Sequence, residues 1–316
     1  MSAAGGESTS PVPTIVVVGS CNVDLTSYLP HVPGPGETVV GSLFSIGFGG
    51  KGANQALMAR RLGARVVMVG CIGRDSFGDV MLANLNADGI DTAWLERADT
   101  VSTGVAVIWV EPDGTNRIAY SPGANELVSA SGAAEAVTAI SPAVVLAQFE
   151  IPQAATRAAF AAGRRVGAIT VLNPAPAAAA DRELLALTDW LVPNEVELAQ
   201  LTSTTSSADD ALRAATKSLS GGRLLVTLGA AGVALVDHDS VLRVPAPDVD
   251  VVDTTGAGDV FIGAFGFGLA RGMNPAAAAE LGVLCASDSV QRPGAQAAMP
   301  RAEDAAEFAR PGRRRH

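Results

Sequence analysis

Asp259 and the three small residues before it form the segment of the sequence best suited to chemistry on an anion. Gly256, Ala257 and Gly258 follow a short apolar run and precede a helical pattern over residues 260–270. Small residues let backbone N–H groups approach an anion closely, and a helix that starts here adds the positive end of its dipole. The segment is therefore predicted to be an anion hole.

A carboxylate at the edge of a phosphate-binding loop needs a reason of its own. Asp259 would repel a phosphate if it only helped to bind it, so a general base aimed at an acceptor hydroxyl makes better sense. The alternative is structural, because an acid in the first turn of a helix is favoured by the helix dipole. The loop alone leaves both interpretations open.

A second glycine-rich segment, residues 47–55, also lies between a predicted strand and a predicted helix. It contains a formal G-x-G-x-x-G spacing, so a dinucleotide-binding turn has to be weighed. The segment comes roughly 30 residues after the first strand, and the first acid after the next apolar run is Asp75, both unlike the Rossmann fingerprint. Lys51 is followed by Gly52 where a Walker A loop needs Ser or Thr, which excludes a standard P-loop.

Short β-rich runs that alternate with Ala-rich helical runs must position these loops. The alternation predicts an α/β fold with a doubly wound, mostly parallel sheet and helices on both faces. The predicted strands are residues 15–18, 66–69, 144–147, 169–172, 191–192 and 224–227, and the predicted helices are residues 53–62, 81–87 and 154–162.

Two segments depart from the alternation and are predicted to form a small β lid. Residues 38–48 have the composition of a strand, and residues 103–121 are predicted to form a hairpin around a turn at 111–116. A lid would keep water away from a reacting phosphate.

The expected domain layout follows from these elements. One main α/β domain should span residues 14–305, with the lid at about 22–50 and 103–122. Residues 1–13 are expected to be a disordered lead-in and residues 306–316 a basic, solvated tail.

Composition excludes several classes of protein. The formal net charge of -10 disfavours a nucleic-acid partner, and the single basic cluster lies in the C-terminal tail. Three cysteines and three histidines without ligand spacing argue against disulfides and a transition-metal site. No apolar stretch is long enough to predict a membrane span, so we expect a cytoplasmic location with no membrane partner.

The segments GGKGANQ at residues 49–55 and DTTGAGD at residues 253–259 together resemble the two signature motifs of the ribokinase-like (PfkB) family of sugar and nucleoside kinases. The resemblance runs from about Ile15 to about Pro300. It implies the family fold, a large doubly wound α/β domain with a β lid. It also implies transfer of the γ-phosphate of ATP to O5 of D-ribose, with Mg²⁺ and an activating K⁺.

The resemblance also places the sugar among polar side chains, which suits a ligand rich in hydroxyl groups. Glu150 follows the apolar run at residues 144–149, so it should lie at the carboxyl edge of the sheet where open α/β folds bind ligands. An exposed acid at a strand end is the plain alternative for Glu150. The implied substrate-binding residues are Asn22, Asp24, Gly50, Lys51, Asn54, Glu150 and Asp259.

Nucleotide and metal positions are likewise implied by the resemblance. Glu197 would arrange Mg²⁺ indirectly, and Ala298 stands where Ser is often found, so one side-chain oxygen is missing from the K⁺ site. The implied nucleotide-binding residues are Asn194, Thr227, Gly229, Gly232 and Gly258. The implied K⁺ positions are Asp253, Thr255, Ser289, Arg292, Gly294 and Ala298.

The expected mechanism is an in-line transfer. Asp259 would take the proton of the ribose 5-hydroxyl, while the amides of Gly256, Ala257 and Gly258, together with Lys51 and Mg²⁺, would stabilise charge on the moving phosphoryl group. Deoxyribose, fructose or adenosine as acceptor is the nearest alternative, and a non-catalytic sugar or nucleotide sensor is a second one. Family analogy predicts a homodimer joined through the lid strands.

Overall fold

Strands and helices alternate along residues 12–219, 222–237 and 240–309, which are the residues that the computed structural model describes. The strands are β1 (Thr14–Val18), β2 (Asn22–Tyr28), β3 (Leu43–Gly49), β4 (Arg65–Gly73), β5 (Asp91–Ala98), β6 (Gly104–Val110), β7 (Asn116–Ser121), β8 (Val144–Ala147), β9 (Ile169–Leu172), β10 (Trp190–Leu191), β11 (Arg223–Thr227), β12 (Val233–Val236) and β13 (Val241–Val244). The helices are α1 (Lys51–Arg61), α2 (Ser76–Ala87), α3 (Ala130–Ile140), α4 (Gln153–Val166), α5 (Arg182–Ala186), α6 (Glu195–Thr202), α7 (Asp209–Ser218), α8 (Ala257–Ala270), α9 (Pro275–Ser289) and α10 (Ala302–Phe308). Short 3₁₀ turns lie at Gly123–Leu127 and Gly229–Ala231.

The larger sheet has the strand order β13-β12-β11-β10-β9-β8-β1-β4-β5. Neighbouring strands from β11 to β5 pair in parallel, and β12 and β13 add an antiparallel edge. In β1, Ile15 and Val17 belong to one hydrophobic core while Val16 and Val18 belong to a second. The central strand is thus buried on both faces, and the predicted doubly wound fold is confirmed.

The smaller sheet has the order β3-β2-β6-β7, with β2 and β6 parallel and the outer pairs antiparallel. The prediction of a strand over residues 38–48 was too long at its start, because β3 begins only at Leu43. Its partner β2 ends at Tyr28, which pairs with Leu43, so the earlier residues have no strand to pair with. The hairpin predicted over residues 103–121 is present as β6 and β7.

Near the functional loops, one boundary differs from the sequence prediction and another agrees with it. Helix α8 begins at Ala257 rather than Val260, because Gly256 takes a left-handed conformation (φ 76°) and caps the helix. Strand β8 ends at Ala147, where its neighbour β1 also stops pairing, so Glu150 follows the strand at a short distance.

The ends of the chain were predicted to be a lead-in and a tail. Most of the lead-in, residues 1–11, and the arginine-rich end, residues 310–316, lie outside the described residues. The start of the predicted tail is helical, since α10 continues to Phe308. Within the described part of the chain, every helix is too short or too polar to cross a membrane.

Gly52 is expected to be one of the positions where the fold tolerates no side chain. A Cβ at residue 52 would lie 2.6 Å from the backbone nitrogen of Ser20 and 2.7 Å from the carbonyl carbon of Gly19, so α1 would have to move away from the end of β1. We expect Gly52→Ala to lower the free energy of unfolding by about 1–3 kcal/mol, measured by chemical denaturation. Gly34→Ala is the control, because its Cβ would meet nothing closer than 3.6 Å; equal stability of the two variants would contradict the prediction.

Candidate active site

Asp259 lies in the first turn of α8 and is buried, with 5% of its surface exposed. Another helix holds both of its carboxylate oxygens: Asn54 Nδ2 donates to Oδ2 at 3.0 Å and Gln55 Nε2 donates to Oδ1 at 3.1 Å. An acid that served only the dipole of α8 would not need burial against amides from α1. The geometry therefore favours the general-base interpretation over the structural one.

The loop before Asp259 is the predicted anion hole. Gly256 caps α8, and the first N–H groups of a helix have no partner within the helix. Nothing lies within 4 Å of the position that a Cβ of Gly258 would occupy, so an anion has room at the helix start. Ala257 N is engaged with Thr254 O at 3.2 Å, which points to Gly258 rather than Ala257 as a donor to a ligand.

A cavity of about 220 Å³ opens beside this loop. It brings together the anion hole, the first residue of α1 and residues from the ends of β10 and β11. Its walls include Lys51, Asn194, Glu197, Thr227, Gly256 and Gly258.

Lys51 carries a positive charge into the cavity. The carboxylate of Asp259 raises the pKa of this ammonium group, burial opposes the shift, and Glu150 and Glu197 raise it further. Lys51 is therefore charged at neutral pH in a space that is otherwise rich in carboxylates.

Glu150 connects two of the predicted sugar-binding segments. Its Oε2 accepts hydrogen bonds from Ser20 Oγ at 2.5 Å and from Lys51 N at 3.0 Å. The carboxylate thus joins the end of β1 to the start of α1, and it is more than an exposed acid at a strand end. Gly50 makes this approach possible with a φ of 86°, since a Cβ there would lie within 3 Å of backbone atoms of Ser20 and Cys21.

Asn22 lies at the start of β2 and is almost fully buried. Its Oδ1 accepts a hydrogen bond from Asn125 Nδ2 at 2.7 Å, and Asn125 Oδ1 in turn accepts one from Cys21 N at 2.9 Å. Asn125 lies in the 3₁₀ turn after β7, and its side chain fixes the orientation of the Asn22 amide.

Asp24 lies on the lid, two residues further along β2. Burial raises the pKa of its carboxyl group to about 6, and the nearby charge of Glu150 adds to the shift. Tyr120 belongs to the same cross-strand row, because Asp24 pairs with Ala106 and Ala106 pairs with Tyr120. Burial first, and then Glu150, raises the pKa of the Tyr120 hydroxyl to about 12, so it remains a hydrogen-bond donor at neutral pH.

The predicted nucleotide and magnesium residues are partly brought together. Asn194 and Thr227 form an isolated parallel bridge between the ends of two neighbouring strands. Glu197 forms a capping box with Asn194, in which Oε2 accepts from Asn194 N at 2.8 Å and Oε1 from Nδ2 at 3.1 Å. Burial raises the pKa of Glu197. Gly229 and Gly232 lie in the turn after Thr227 and do not line the cavity.

The predicted K⁺ positions come from two loops that meet. Asp253 Oδ2 accepts from Gly294 N at 2.8 Å, and its Oδ1 accepts from Thr255 N at 2.9 Å and Thr255 Oγ1 at 2.6 Å. The carbonyl of Ala298 is already bound by Arg292, at 2.9 Å from Nη2 and 3.1 Å from Nε. Ser289 Oγ donates to Ala286 O instead of facing the loop. Oxygen ligands suit a hard cation, and here the carboxylate of Asp253 and the carbonyl of Ala298 both already accept hydrogen bonds from the protein.

Four residues near the site were missed from the sequence, namely Ser20, Gln55, Asn125 and Tyr120. Gln55 had a signal, because it directly follows Asn54 in the glycine motif. Asn125 and Tyr120 had none, since their role depends on strand pairing within the lid.

Comparison with known proteins gives consistent matches over nearly the whole chain. The model of the pfkB family carbohydrate kinases matches residues 12–302. A ribokinase of Lactococcus lactis is 40% identical over 292 residues, covering 91% of this chain and 94% of the relative. A deoxyribokinase of Salmonella typhi is 36% identical over 299 residues, covering 93% and 98%. The solved structure of Arabidopsis thaliana ribokinase complexed with ribose and ATP is 30% identical, with a TM-score of 0.85 over 94% of this chain and 99% of that one.

Proposed function

The chain belongs to the pfkB family of carbohydrate kinases, and we propose on that premise that it transfers the γ-phosphate of ATP to O5 of D-ribose. One observation carries the proposal. Asp259 is buried at the start of α8, beside the anion hole, with both oxygens held by residues of the glycine motif. This arrangement supports a base adjacent to a phosphate site, as phosphoryl transfer to a hydroxyl requires.

The residues of the chain have distinct roles in this reaction. Asp259 accepts the proton of the attacking 5-hydroxyl, and the start of α8 and Lys51 stabilise charge on the phosphoryl group in flight. Asn22, Asp24, Asn54 and Glu150 orient the sugar from the lid and the sheet edge. Mg²⁺ bound with ATP would neutralise charge on the phosphate oxygens. Glu197 would hold it indirectly, because both of its carboxylate oxygens accept hydrogen bonds from Asn194.

A monovalent cation is the second ion in the proposal. We place K⁺ between the loop at residues 253–255 and the loop around Gly294, where it would order the anion hole. Ala298 lacks the side-chain oxygen that Ser would supply, and its carbonyl accepts hydrogen bonds from Arg292. Both features support weaker activation of the enzyme by K⁺ than a full set of oxygen ligands would give.

The identity of the acceptor sugar is the least specific part of the proposal, because a ribokinase and a deoxyribokinase match this chain with similar sequence identity. The paired donors and acceptors of Asn22 and Asp24 support ribose, whose 2-hydroxyl offers one more partner than deoxyribose. The test is ADP release from ATP and Mg²⁺, with and without K⁺, across D-ribose, 2-deoxyribose, fructose, adenosine and ribitol. Turnover highest with D-ribose supports the proposal, and a different best acceptor replaces it.

Sugar affinity is expected to depend on pH through Asp24. Its pKa of about 6 means that the carboxyl group is ionised at pH 7.5 and mostly protonated at pH 5, where it loses a charged acceptor for sugar hydroxyls. We expect the KM for the sugar to rise by about tenfold from pH 7.5 to pH 5. Asp24→Asn should have a higher KM that no longer changes over this range; a wild-type KM that is flat with pH would contradict the assignment.

We also propose that two copies associate through their lids. Apolar side chains are exposed on the lid strands, which is unusual for a surface without a partner. They include Tyr28, Leu43, Phe44, Ile46, Ile118 and Tyr120. Light scattering tests the proposal: the mass of one chain at micromolar concentration would rule it out.

A further inference from the structure

Side-chain amides converge on Asp259 from two directions. One series runs from Gln148 at the end of β8 through Gln55 to Oδ1, and the other runs from Gln296 through Asn54 to Oδ2. Gln55 and Gln148 have no exposed surface, and the other amides are nearly buried. We call the first series the Gln148–Gln55 pair.

The Gln148–Gln55 pair fixes which way the Gln55 amide faces. Gln148 Nε2 donates to Gln55 Oε1 at 2.6 Å, so the Gln55 oxygen points away from the carboxylate. The Gln55 NH₂ group then has two acceptors, Asp259 Oδ1 at 3.1 Å and Asn173 Oδ1 at 3.4 Å. Asn173 is itself held by Nδ2 donating to Val192 O at 3.0 Å.

A side-chain amide can turn over and exchange its donor and its acceptor, and only its neighbours decide between the two orientations. A reversed Gln55 would set its oxygen against the oxygens of Asp259 and Asn173, and its NH₂ group against that of Gln148. The buried pair therefore admits one arrangement, in which Asp259 receives an N–H.

Gln148 donates this hydrogen bond while its own side-chain oxygen has no hydrogen-bond partner among the described residues. This oxygen, Oε1, is buried and lies against the backbone of Gly19. An unpaired buried acceptor destabilises a fold. The pair thus leaves one buried oxygen unpaired, that of Gln148, while it satisfies the oxygen of Gln55.

We propose that Gln148 is a positioning residue for the reaction, which acts through Gln55 to hold the Asp259 carboxylate in the orientation that accepts the proton. The inference rests on the proposed role of Asp259 as base. It holds for any acceptor hydroxyl, so it does not depend on ribose.

The test compares Gln148→Met and Gln148→Glu with wild type, using whichever acceptor the wild-type enzyme turns over fastest. Met matches Gln in size and removes the donor together with the unpaired oxygen, so we expect kcat to fall by about 10- to 100-fold, with both KM values within threefold. The Tm should stay close to wild type, because the unpaired oxygen of Gln148 is exchanged for that of Gln55. Glu places an oxygen against Gln55 Oε1 and favours the reversed amide, so its kcat should fall further.

A double-mutant cycle separates positioning from packing. In the Asp259→Asn background, Gln148→Met should change the residual rate by less than twofold, because the carboxylate it orients is gone. Thr188→Val is the matched control: it removes another buried donor, which bonds Leu184 O, away from the cavity, and should leave kcat unchanged.

Three results would overturn the inference: a kcat of Gln148→Met within threefold of wild type, a loss of rate matched by a loss of Tm, or an equal loss in the Asp259→Asn background. Failure of the proposed function is a separate outcome. It would appear as wild-type enzyme that turns over no acceptor, or as an Asp259→Asn variant that keeps its rate.

Discussion

Asp259→Ala is expected to lower kcat by about 10²- to 10⁴-fold, the usual contribution of a positioned general base. The substitution leaves the anion hole intact, because Gly256 and Gly258 bind through backbone groups. ATP affinity, measured by calorimetry or by fluorescence of a nucleotide analogue, should stay close to wild type or improve slightly, since a carboxylate near the phosphates is removed. Steady-state ADP release gives the rate.

The same variant separates an enzyme from a sensor. A sugar or nucleotide sensor would need Asp259 only for structure, so its ligand response would survive the substitution. Removing the carboxylate leaves the amides of Asn54 and Gln55 without an acceptor, so Tm should be compared with wild type. A folded Asp259→Ala variant with activity within tenfold of wild type would show that another group is the base.

Lys51→Met is expected to reduce kcat/KM for ATP by about 10²- to 10³-fold, the range measured for loss of one preorganised electrostatic contact. The side chain faces Asp259, Glu150 and Glu197, and without its charge the cavity would present carboxylates to a polyanion. Because the pKa of Lys51 is raised, its ammonium group keeps its proton up to an unusually high pH. Loss of this proton should therefore not lower the wild-type rate until the pH exceeds the ordinary pKa of lysine.

Lys51→Arg is the matched control, because it keeps the charge and changes the shape of the head group. It should recover much of the ATP affinity. If Lys51→Met instead raised only the KM for the sugar and left the KM for ATP unchanged, the ammonium group would belong to the acceptor side of the site.

The sequence was most informative where chemistry depends on backbone shape and on one charge. Gly256, Gly258 and Asp259 lie within a single short segment, and the helix that follows them has a clear pattern. The parallel sheet was also predictable, because strands such as β1 are apolar after their first residue. The ends of strands were harder to predict. Strand β3 starts where β2 ends, and this boundary depends on how the two strands pair and not on either sequence alone.

The partners of Asp259 could not be found from the sequence in the same way. Gln55 and Gln148 are 93 residues apart, and their contact depends on how α1 packs across the end of β8. A single buried amide has no periodicity to mark it, and a glutamine in an apolar run looks like an interruption. Edge strand β5 was also overlooked, since its exposed charged residues hide the apolar ones.

The residues around Asp259 are spread over almost the whole chain, from Asn22 on β2 to Gln296 in the loop before α10. During synthesis, the proposed sugar-binding strand β2 is made long before Asp259, the proposed base. Asn54 Oδ1 gains its donor, Gln296 Nε2, only when one of the last segments has been made. On the proposed roles, a nascent chain that lacks Asp259 would be unable to transfer phosphate to a sugar. Turnover becomes a property of the finished polypeptide alone.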